Sequence, residues 1–231
     1  MALTIDPRIV RGMTRQLEQW RAALAAGGGR AGWKIGLNAP ATQRALGIAH
    51  SVVGHLTVAR CLMPGVAHSL AGGTRVLVEP EVAVVIAGPV PPDADDARIR
   101  AAIAGLAPAI EIVDLDGPVD DVERIVAGNV FHRGVLLGRD DPTRAGGALA
   151  GITVTVTQGE RTVGPFDAAV VLGDLVPIVR LVAVTLAACG EALTVGDRII
   201  TGALTAMPVA PGDIVDADFG PLGTVGLRFA E

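Results

Sequence analysis

The stretch "RVLVEPEVAVVIAG", residues 75–88, determines how the rest of the chain is interpreted. Valine, leucine and isoleucine fill it, as expected of a strand that is buried on both faces. Glu79 and Glu81 interrupt this apolar run, with Pro80 between them. Because side chains alternate along a strand, the two carboxylates point to the same face. Buried like charges repel each other, so these two glutamates need a compensating partner.

A third carboxylate, Glu111 in "PAIEIVD", lies in another apolar stretch. Two neighbouring strands could bring Glu79, Glu81 and Glu111 together, and a hard divalent cation such as Mg²⁺ would offset their repulsion. The alternative is that Glu79 caps a strand end while the other two glutamates pair with arginines. The spacing alone leaves both interpretations open. If the glutamates bind a cation, Pro80 is predicted on the opposite strand face, at a strand end or edge, where its missing N–H does no harm.

Other candidate residues lie in two short motifs. Lys34, in "GWKIGL", has apolar neighbours, so it could be a desolvated acid or base, or it could extend its charge to water or to an ion pair. In "GNVFHRG", Arg133 could bind a substrate carboxylate and His132 could exchange protons. The alternative is that Asn129 stabilises a loop and that the two basic residues form a surface pair. His55, in "VVGHL", is typical of a structural histidine.

Composition excludes several classes of protein. The chain has 231 residues, a net charge of -5, 3% aromatic residues and no tyrosine, so we expect no nucleic-acid partner. Its apolar runs are too short to span a bilayer, and the first residues lack the apolar region of a signal peptide. We therefore expect a cytoplasmic protein without membrane contact, in which Cys61 and Cys189 are reduced. Hydrophobic residues make up 50% of the chain, which is compatible with a homodimer or a larger homo-oligomer.

The hydrophobic pattern predicts an α+β fold, because helices concentrate in the first half of the chain and strands in the second. A single domain is expected, with an N-terminal helical arm at 1–31 and a catalytic domain at 32–231. Helices are predicted at 7–26, 39–47, 96–106, 122–129 and 175–189. Strands are predicted at 75–86, at 109–115, in the hairpin "GITVTVTQGERTV", and in a C-terminal antiparallel meander of "LTVGDRIITGAL", "GDIVDADFG" and "GTVGLRFAE".

The order of these motifs resembles that of a known family. "GWKIGL", "EPEVAVVIAG", "PAIEIVD", "GN" and "VGDRIITGALTAMPVAPGDIVDADFGPLGTVGLRF" follow one another as in the 2-keto-4-pentenoate hydratase and 2-oxo-acid decarboxylase branch of the fumarylacetoacetate hydrolase superfamily. The resemblance covers residues 32–229. It implies the family's mixed β-roll, a distorted barrel-like sheet with peripheral helices.

The resemblance also implies roles for particular residues. Glu79, Glu81 and Glu111 match the carboxylates that hold Mg²⁺ or Mn²⁺, and Lys34 matches the active-site lysine of the hydratases. Asn129 matches a recurrent asparagine, and Thr205, in "TGALT", falls where a small hydroxyl residue can contact substrate.

The implied function is that of a metal-dependent lyase of hydratase type in the catabolism of aromatic compounds. It would act on a small 2-oxo acid, such as a 2-keto-4-pentenoate, through a metal-stabilised enolate. The same site would serve a decarboxylase or a C–C bond hydrolase of an acylpyruvate-like 2-oxo acid. A third alternative is a non-catalytic partner subunit of a hydratase–decarboxylase complex.

Two departures from the family pattern bear on these alternatives. Hydratases of this group usually carry an acidic residue shortly after the "GxL" that follows the "KIGL" region, but "GHLTVARCL" contains none. His55 lies in this segment and is a candidate replacement for the acid, and the missing acid motivates the partner-subunit alternative. "NVFHRG" also differs from the small Ser/Ala-rich loop of the hydratases, which predicts a changed substrate end of the site.

Overall fold

The computed structural model of the protein describes residues 3–230. Its helices are α1 (Pro7–Ala25), α2 (Pro40–Leu46), α3 (Asp96–Ala102), α4 (Val122–Ala127), α5 (Ala168–Leu172) and α6 (Leu175–Ala188). Its strands are β1 (Arg30–Gly36), β2 (Val52–Thr57), β3 (Ala67–Ser69), β4 (Val76–Ile86), β5 (Ile103–Asp114), β6 (His132–Leu137), β7 (Thr153–Gln158), β8 (Arg161–Asp167), β9 (Arg198–Ile200), β10 (Met207–Pro208), β11 (Ile214–Asp218) and β12 (Thr224–Ala230).

The strands form two sheets. The first has the order β2-β1-β9-β4-β5-β6, with β10 also paired to β4, and the second has the order β3-β12-β11-β7-β8. The segment after β2 returns to the far strand of the first sheet, where the Leu62 N–H donates to the Val135 carbonyl over 2.8 Å. The first sheet is therefore curled into a half-barrel with helices around it. This architecture confirms the predicted α+β fold class.

Helix α1 shows why its sequence folds where it does. The Asp6 side chain accepts a hydrogen bond from the Arg8 backbone N–H, which caps the helix. Its apolar residues recur every three or four positions and bury one stripe of the helix against α4 and β2; they include Ile9, Met13, Leu17 and Trp20. The predicted division into an arm at 1–31 and a catalytic domain at 32–231 stays a prediction.

The helix predicted at 96–106 is wrong in its second half. Helix α3 ends at Ala102, and Ile103 begins the long strand β5. Pro108 cannot continue a helix, and a Cβ at Gly105 would lie 2.5 Å from the Asp141 carbonyl oxygen. Residues 103–106 pair with β4 along one edge, and Leu106 exchanges backbone hydrogen bonds with Asp141 on the other. These hydrogen bonds outweigh the helix propensity of this alanine-rich run.

The predicted C-terminal meander is also wrong in part. Strand β9 lies in the first sheet, parallel to β1 and antiparallel to β4. Of the three predicted meander strands, β11 and β12 alone pair with each other, antiparallel and in the second sheet. Ile199 and Ile200 point to opposite faces of β9 and are both completely buried. A strand that is apolar on both faces belongs inside a sheet that is covered on both sides, which explains its insertion between β1 and β4.

Pro80 lies neither at a strand end nor at an edge, contrary to the prediction, but in the middle of β4. Its carbonyl accepts a hydrogen bond from the Leu204 N–H at 3.0 Å. Because the nitrogen and carbonyl of one strand residue point to the same side, the Pro80 nitrogen faces the 201–206 segment between β9 and β10, and not β5. The missing N–H therefore interrupts no hydrogen bond of the β4–β5 ladder.

Candidate metal centre and active site

Three glutamates meet on one face of the first sheet. Glu79 of β4 lies directly opposite Glu111 of β5, and Glu81 follows two residues later on the same face. One carboxylate oxygen from each lies within 4.8 Å of the others. Glu81 and Glu111 are completely buried. The antiparallel register of the two strands thus converts an E-x-E motif and a distant glutamate into one cluster.

Small residues on the same face make room for this cluster. Ala109 is the register partner of Glu81, and Ala83 and Ala107 continue the face along the two strands. All three alanines are completely buried. Lys34 of β1 reaches this face because it is aligned with Ile200 of β9, which is in turn aligned with Ala83. The pleat of four strands therefore directs the lysine and the glutamates into the same space.

Lys34 is the only lysine in the chain and is 2% exposed. Its Nζ lies 2.5 Å from Oε1 of Glu111 and donates to the Val130 carbonyl at 3.1 Å. An ammonium group has three donors, and Lys34 has no third hydrogen-bond partner among residues 3–230, so one donor is left for a bound molecule. The chain uses arginine at every other basic Lys/Arg position. A single lysine in such a sequence is therefore itself a signal of a site that needs an amine.

His132, the first residue of β6, contacts the same carboxylate. Its Nδ1 lies 2.7 Å from Oε1 of Glu111. Burial lowers the pKa of His132 and outweighs the opposing effect of the carboxylate. The neutral imidazole then donates from Nδ1 to Glu111, and Nε2 is left as a buried acceptor without a hydrogen-bond partner among the described residues. Glu111 is therefore held from two sides, by Lys34 and by His132.

The protonation of the glutamates depends on their neighbours. Burial, followed by the charge of Glu111, raises the pKa of Glu79 to about 7. Burial and the charges of Glu111 and Glu79 raise the pKa of Glu81 well above its usual value. Burial also opposes ionisation of Glu111, but the charge of Lys34 and the hydrogen bond from His132 outweigh it and lower the pKa of Glu111. Three negative charges in this cluster are therefore unfavourable, and a further cation would offset their repulsion.

The orphaned oxygens of this cluster fit a hard metal ion. Glu81 accepts a hydrogen bond at one oxygen from the Gly202 N–H, at 2.6 Å. Oε1 of Glu81 and Oε2 of Glu111 are both buried and have no hydrogen-bond partner among residues 3–230. Buried polar atoms without partners are rare in proteins, and carboxylate oxygens are the ligands that Mg²⁺ and Mn²⁺ prefer. Glu79, Glu81 and Glu111 could therefore hold a divalent cation.

A cavity of about 260 Å³ opens beside the cluster. Its wall contains the charged side chains of Lys34 and Glu79 and the hydroxyl group of Thr42. The remaining lining is glycine or apolar: Gly36, Leu37, Val113, Leu115, Val119, Ile125, Val130 and Phe131. Within the part of the chain that the structure describes, Lys34 is the only cationic residue lining this cavity. The cavity thus combines a polar end at the cluster with an apolar remainder.

Asn129 and His55 contact each other away from the glutamates. The Asn129 amide oxygen accepts from the His55 backbone N–H at 2.7 Å, and its amide nitrogen donates to the His55 carbonyl at 3.0 Å. The His55 side chain lies on the face of β2 opposite Lys34, because Gly54 is the residue aligned with the lysine. It approaches Gln16 of α1, at 3.4 Å. His55 does not line the cavity.

Arg133 and Thr205 also lie outside the cavity lining. Arg133 forms an ion pair with the buried carboxylate of Asp114, at 2.9 Å. Asp114 accepts further hydrogen bonds from the backbone of Thr74 and Arg75. Thr205 is half-buried on the segment between β9 and β10. The substrate roles predicted for Arg133 and Thr205 therefore have no support from these contacts.

The site contains two backbone contributions that the sequence did not indicate. Gly202 donates its N–H to Glu81, and Val130 presents its carbonyl to Lys34. Backbone groups carry no residue-type signal, so only the fold reveals them. The positive φ of Gly202, 95°, is the one local feature that its residue type could have suggested.

Comparison with known proteins places the chain among enzymes. No family model matches it. It is 32% identical over 225 residues to the TodF product hydratase of Pseudomonas putida strain F1, covering 90% of this chain and 80% of that protein. It is 28% identical over 202 residues to a 4-oxalocrotonate decarboxylase of Pseudomonas putida, covering 86% of this chain and 76% of that protein.

Solved structures agree with these relatives. The 4-oxalocrotonate decarboxylase from Pseudomonas putida G7, complexed with magnesium and adipate, superposes with a TM-score of 0.84 at 28% identity, covering 93% of this chain and 83% of that one. A fumarylpyruvate hydrolase from Pseudomonas aeruginosa, complexed with Mn²⁺ and pyruvate, shares the fold with a TM-score of 0.62 at 14% identity, covering 87% of this chain and 90% of that one.

The fold and the site thus define an enzyme of the fumarylacetoacetate hydrolase superfamily. The sequence singled out the three glutamates and Lys34, and the structure brings these residues into contact. Within that superfamily, the chain belongs to the branch of the 2-keto-4-pentenoate hydratases and 2-oxo-acid decarboxylases. No described helix has the length and apolar character needed to cross a bilayer.

Proposed function

We propose that the protein is a divalent-metal-dependent hydro-lyase that acts on a small 2-oxo acid, such as a 2-keto-4-pentenoate. The observation that carries the proposal is the cluster of Glu79, Glu81 and Glu111, which adjoins a buried lysine at the polar end of an apolar cavity. The three glutamates would hold Mg²⁺ or Mn²⁺, as their orphaned oxygens favour. The similarity to a decarboxylase that was solved with magnesium supports the same assignment.

A bound divalent cation supplies Lewis-acid stabilisation of the negative charge that develops on the keto oxygen of a 2-oxo acid. Lys34 supplies the proton chemistry from the protein side. Its ammonium group is held by Glu111 and Val130 and keeps one donor for the substrate, so it can hold or deliver a proton at the polar end of the cavity. Burial keeps bulk water away from this group, which strengthens its interactions.

His132 holds the carboxylate of Glu111, and this carboxylate in turn holds the ammonium group of Lys34. Its Nδ1–H donates to the same oxygen of Glu111 that contacts the lysine. The imidazole thereby restricts the orientation of the carboxylate in the protein interior. We propose this supporting role for His132, in place of the direct proton exchange that the sequence suggested, because its Nε2 is buried and it does not line the cavity.

The cavity favours a substrate with an uncharged tail. Beyond Lys34 and Glu79 its walls are mainly apolar, with side chains such as Val113, Ile125 and Phe131. A second carboxylate on the substrate would be buried there without a cationic partner, which is costly. Its volume of about 260 Å³ also lies below the range typical of drug-sized ligands. Both properties favour hydration of a short 2-oxo monoacid over decarboxylation of a diacid.

A decarboxylase or a C–C bond hydrolase of an acylpyruvate-like 2-oxo acid is the second candidate. The TM-score of 0.84 to 4-oxalocrotonate decarboxylase favours it. Product analysis separates the reactions, because a hydratase adds water, a decarboxylase releases CO₂ and a C–C hydrolase yields two fragments. Supply of a 2-oxo monoacid and of a diacid to the same preparation also tests the proposed tail preference.

A non-catalytic partner subunit remains the third candidate, motivated by the absence of an acid in "GHLTVARCL". A purified protein that binds Mg²⁺ but turns over 2-oxo acids only after a second protein is added would support it. We also propose a cytoplasmic homodimer or larger homo-oligomer. Sedimentation velocity of the purified protein checks the assembly state.

The test of the proposed function is Glu81→Gln, which keeps the size of the side chain and removes its charge. We expect it to abolish Mg²⁺ binding, measured by calorimetry, together with turnover of a 2-keto-4-pentenoate. Glu160→Gln is the matched control, because Glu160 lies exposed in the turn between β7 and β8. Full metal-dependent turnover by the Glu81→Gln variant would refute the proposal.

A further inference from the structure

Three consecutive residues next to the active site have a left-handed backbone. Asn129, Val130 and Phe131 have φ angles of 58°, 53° and 64°. This conformation is common for glycine and tolerated by asparagine, but it is unfavourable for a β-branched residue such as valine. A left-handed run of this kind persists only where the surrounding structure enforces it, and it often marks a functional site.

Hydrogen bonds at each residue hold this turn. The Asn129 amide forms its two bonds to the His55 backbone on strand β2. The Val130 N–H donates to the Ile125 carbonyl at 2.9 Å, and the Phe131 carbonyl accepts from the Asp114 N–H at 2.9 Å. The turn is therefore tied to α4, to β5 and, through the asparagine side chain, to the edge of β2.

The turn presents one carbonyl to the buried lysine. The Val130 carbonyl accepts from Lys34 Nζ at 3.1 Å. Two glycines allow this approach: a Cβ at Gly54 would lie 2.8 Å from both the Asn129 Oδ1 and the Lys34 Cγ, and a Cβ at Gly36 would lie 2.7 Å from Val130 Cγ1. The lysine side chain, the asparagine amide and the left-handed turn are thus packed together without spare space.

We propose that Asn129 is a positioning residue for Lys34, acting through the carbonyl of Val130. This inference rests on the proposed function, in which Lys34 holds or delivers the proton. It replaces the substrate contact expected for Asn129, because the amide oxygen and the amide nitrogen both bind His55. The strained turn sets the direction of one of the two acceptors that hold the ammonium group, and the amide bonds keep the turn in place.

The kinetic test is Asn129→Gly. Glycine adopts a positive φ freely, so the variant keeps access to the turn conformation but loses the bonds to His55. We expect kcat to fall by about 10²-fold, the effect typical of a misplaced catalytic group, while KM and the affinity for Mg²⁺ are unchanged. Gln158→Met is the matched control: it removes a side-chain amide of β7, in the second sheet, which bonds the Pro208 carbonyl and Asp213, and should leave kcat at the wild-type value.

A spectroscopic test uses the fact that the chain has one lysine. In protein labelled with ¹⁵N at the lysine side chain, Lys34 should give a single ammonium resonance that exchanges slowly with water. We expect Asn129→Gly to broaden or remove it. This measurement needs no turnover, so it tests the inference even if the wild-type protein fails to process 2-oxo acids. An unchanged resonance together with an unchanged kcat would overturn the positioning role and leave the proposed function intact.

Asn129→Asp keeps the test decisive if the glycine variant does not fold. Aspartate tolerates a positive φ and keeps the oxygen that accepts from the His55 N–H, but it cannot donate to the His55 carbonyl. We expect it to lower kcat and to speed exchange of the Lys34 ammonium less than glycine does. Wild-type values of both quantities in the aspartate variant would overturn the inference.

Discussion

The two faces of the first sheet use the same strands for opposite purposes. One face belongs to the hydrophobic core and carries large apolar side chains, such as Trp33, Val82 and Ile110, which are completely buried. The other face carries Lys34 and the three glutamates, separated by alanines. Alternation along each strand places a packing residue beside nearly every polar one. A buried charged cluster requires both rigidity and space. The core face supplies the rigidity, and the small residues of the other face supply the space.

The largest expected effect concerns the charged face. Lys34→Met removes the titratable amine but keeps an unbranched side chain, and we expect turnover to fall by about 10²–10⁴-fold, the usual contribution of a general acid or base. Mg²⁺ binding should persist, since the glutamates remain. Steady-state kinetics and calorimetry on the same preparation measure both quantities.

Lys34→Arg sharpens this prediction. The guanidinium keeps the positive charge beside Glu111 but does not give up a proton near neutral pH. It should therefore fail to restore turnover. An arginine variant with wild-type turnover would show that charge alone suffices at this position.

The core face should separate stability from activity. Ile110 is completely buried and lies opposite Pro80, next to Glu111 in sequence but on the other face. Ile110→Ala should lower the free energy of unfolding by about 2–5 kcal/mol, through lost burial and a cavity, and leave kcat unchanged. Urea unfolding and kinetics test this. A large fall in kcat would mean that the two faces are not independent.

The smallest expected effect concerns His55, on the face of β2 away from the lysine. Burial, and then repulsion from His132 when both rings are protonated, lowers the pKa of His55 from 6.5 to about 4. The folded state therefore disfavours protonation, so stability is lost as the pH falls below 6.5. By linkage, this histidine alone should cost about 2 kcal/mol of unfolding free energy at about pH 5 relative to about pH 7.5.

Urea unfolding of the wild type and of His55→Gln at both pH values measures this cost. The variant should lose less stability on acidification than the wild type. Equal losses in the two proteins would show that His55 is not the group responsible.

The elements that follow from local patterns were predictable. The E-x-E motif fixes the face of Glu79 and Glu81 through strand alternation alone, and the capped amphipathic pattern gives helix α1. The apolar setting of Glu111 suggested a third carboxylate, and the resemblance to the hydratase and decarboxylase branch added Lys34 to the same site. The structure places these residues together.

Features that depend on long-range contacts were not predictable from the sequence. The end of helix α3 at Ala102 depends on pairing of the following residues with β4 and with Asp141. The place of β9 depends on burial of both its faces. Asn129 was predicted to contact substrate, but its amide binds the backbone of His55. These two residues are 74 positions apart, so local sequence could not reveal the contact. Asparagine tolerates a positive φ, but the residue types of Val130 and Phe131 give no indication of a left-handed turn.

The amide of Asn129 has a consequence for solubility as well. Strand β2 lies at the end of the first sheet, so the backbone N–H and carbonyl of His55 point outwards from the ladder. Unpaired strand edges can recruit strands of other chains and promote aggregation. By binding both groups, one side chain closes that part of the edge against intermolecular β-pairing.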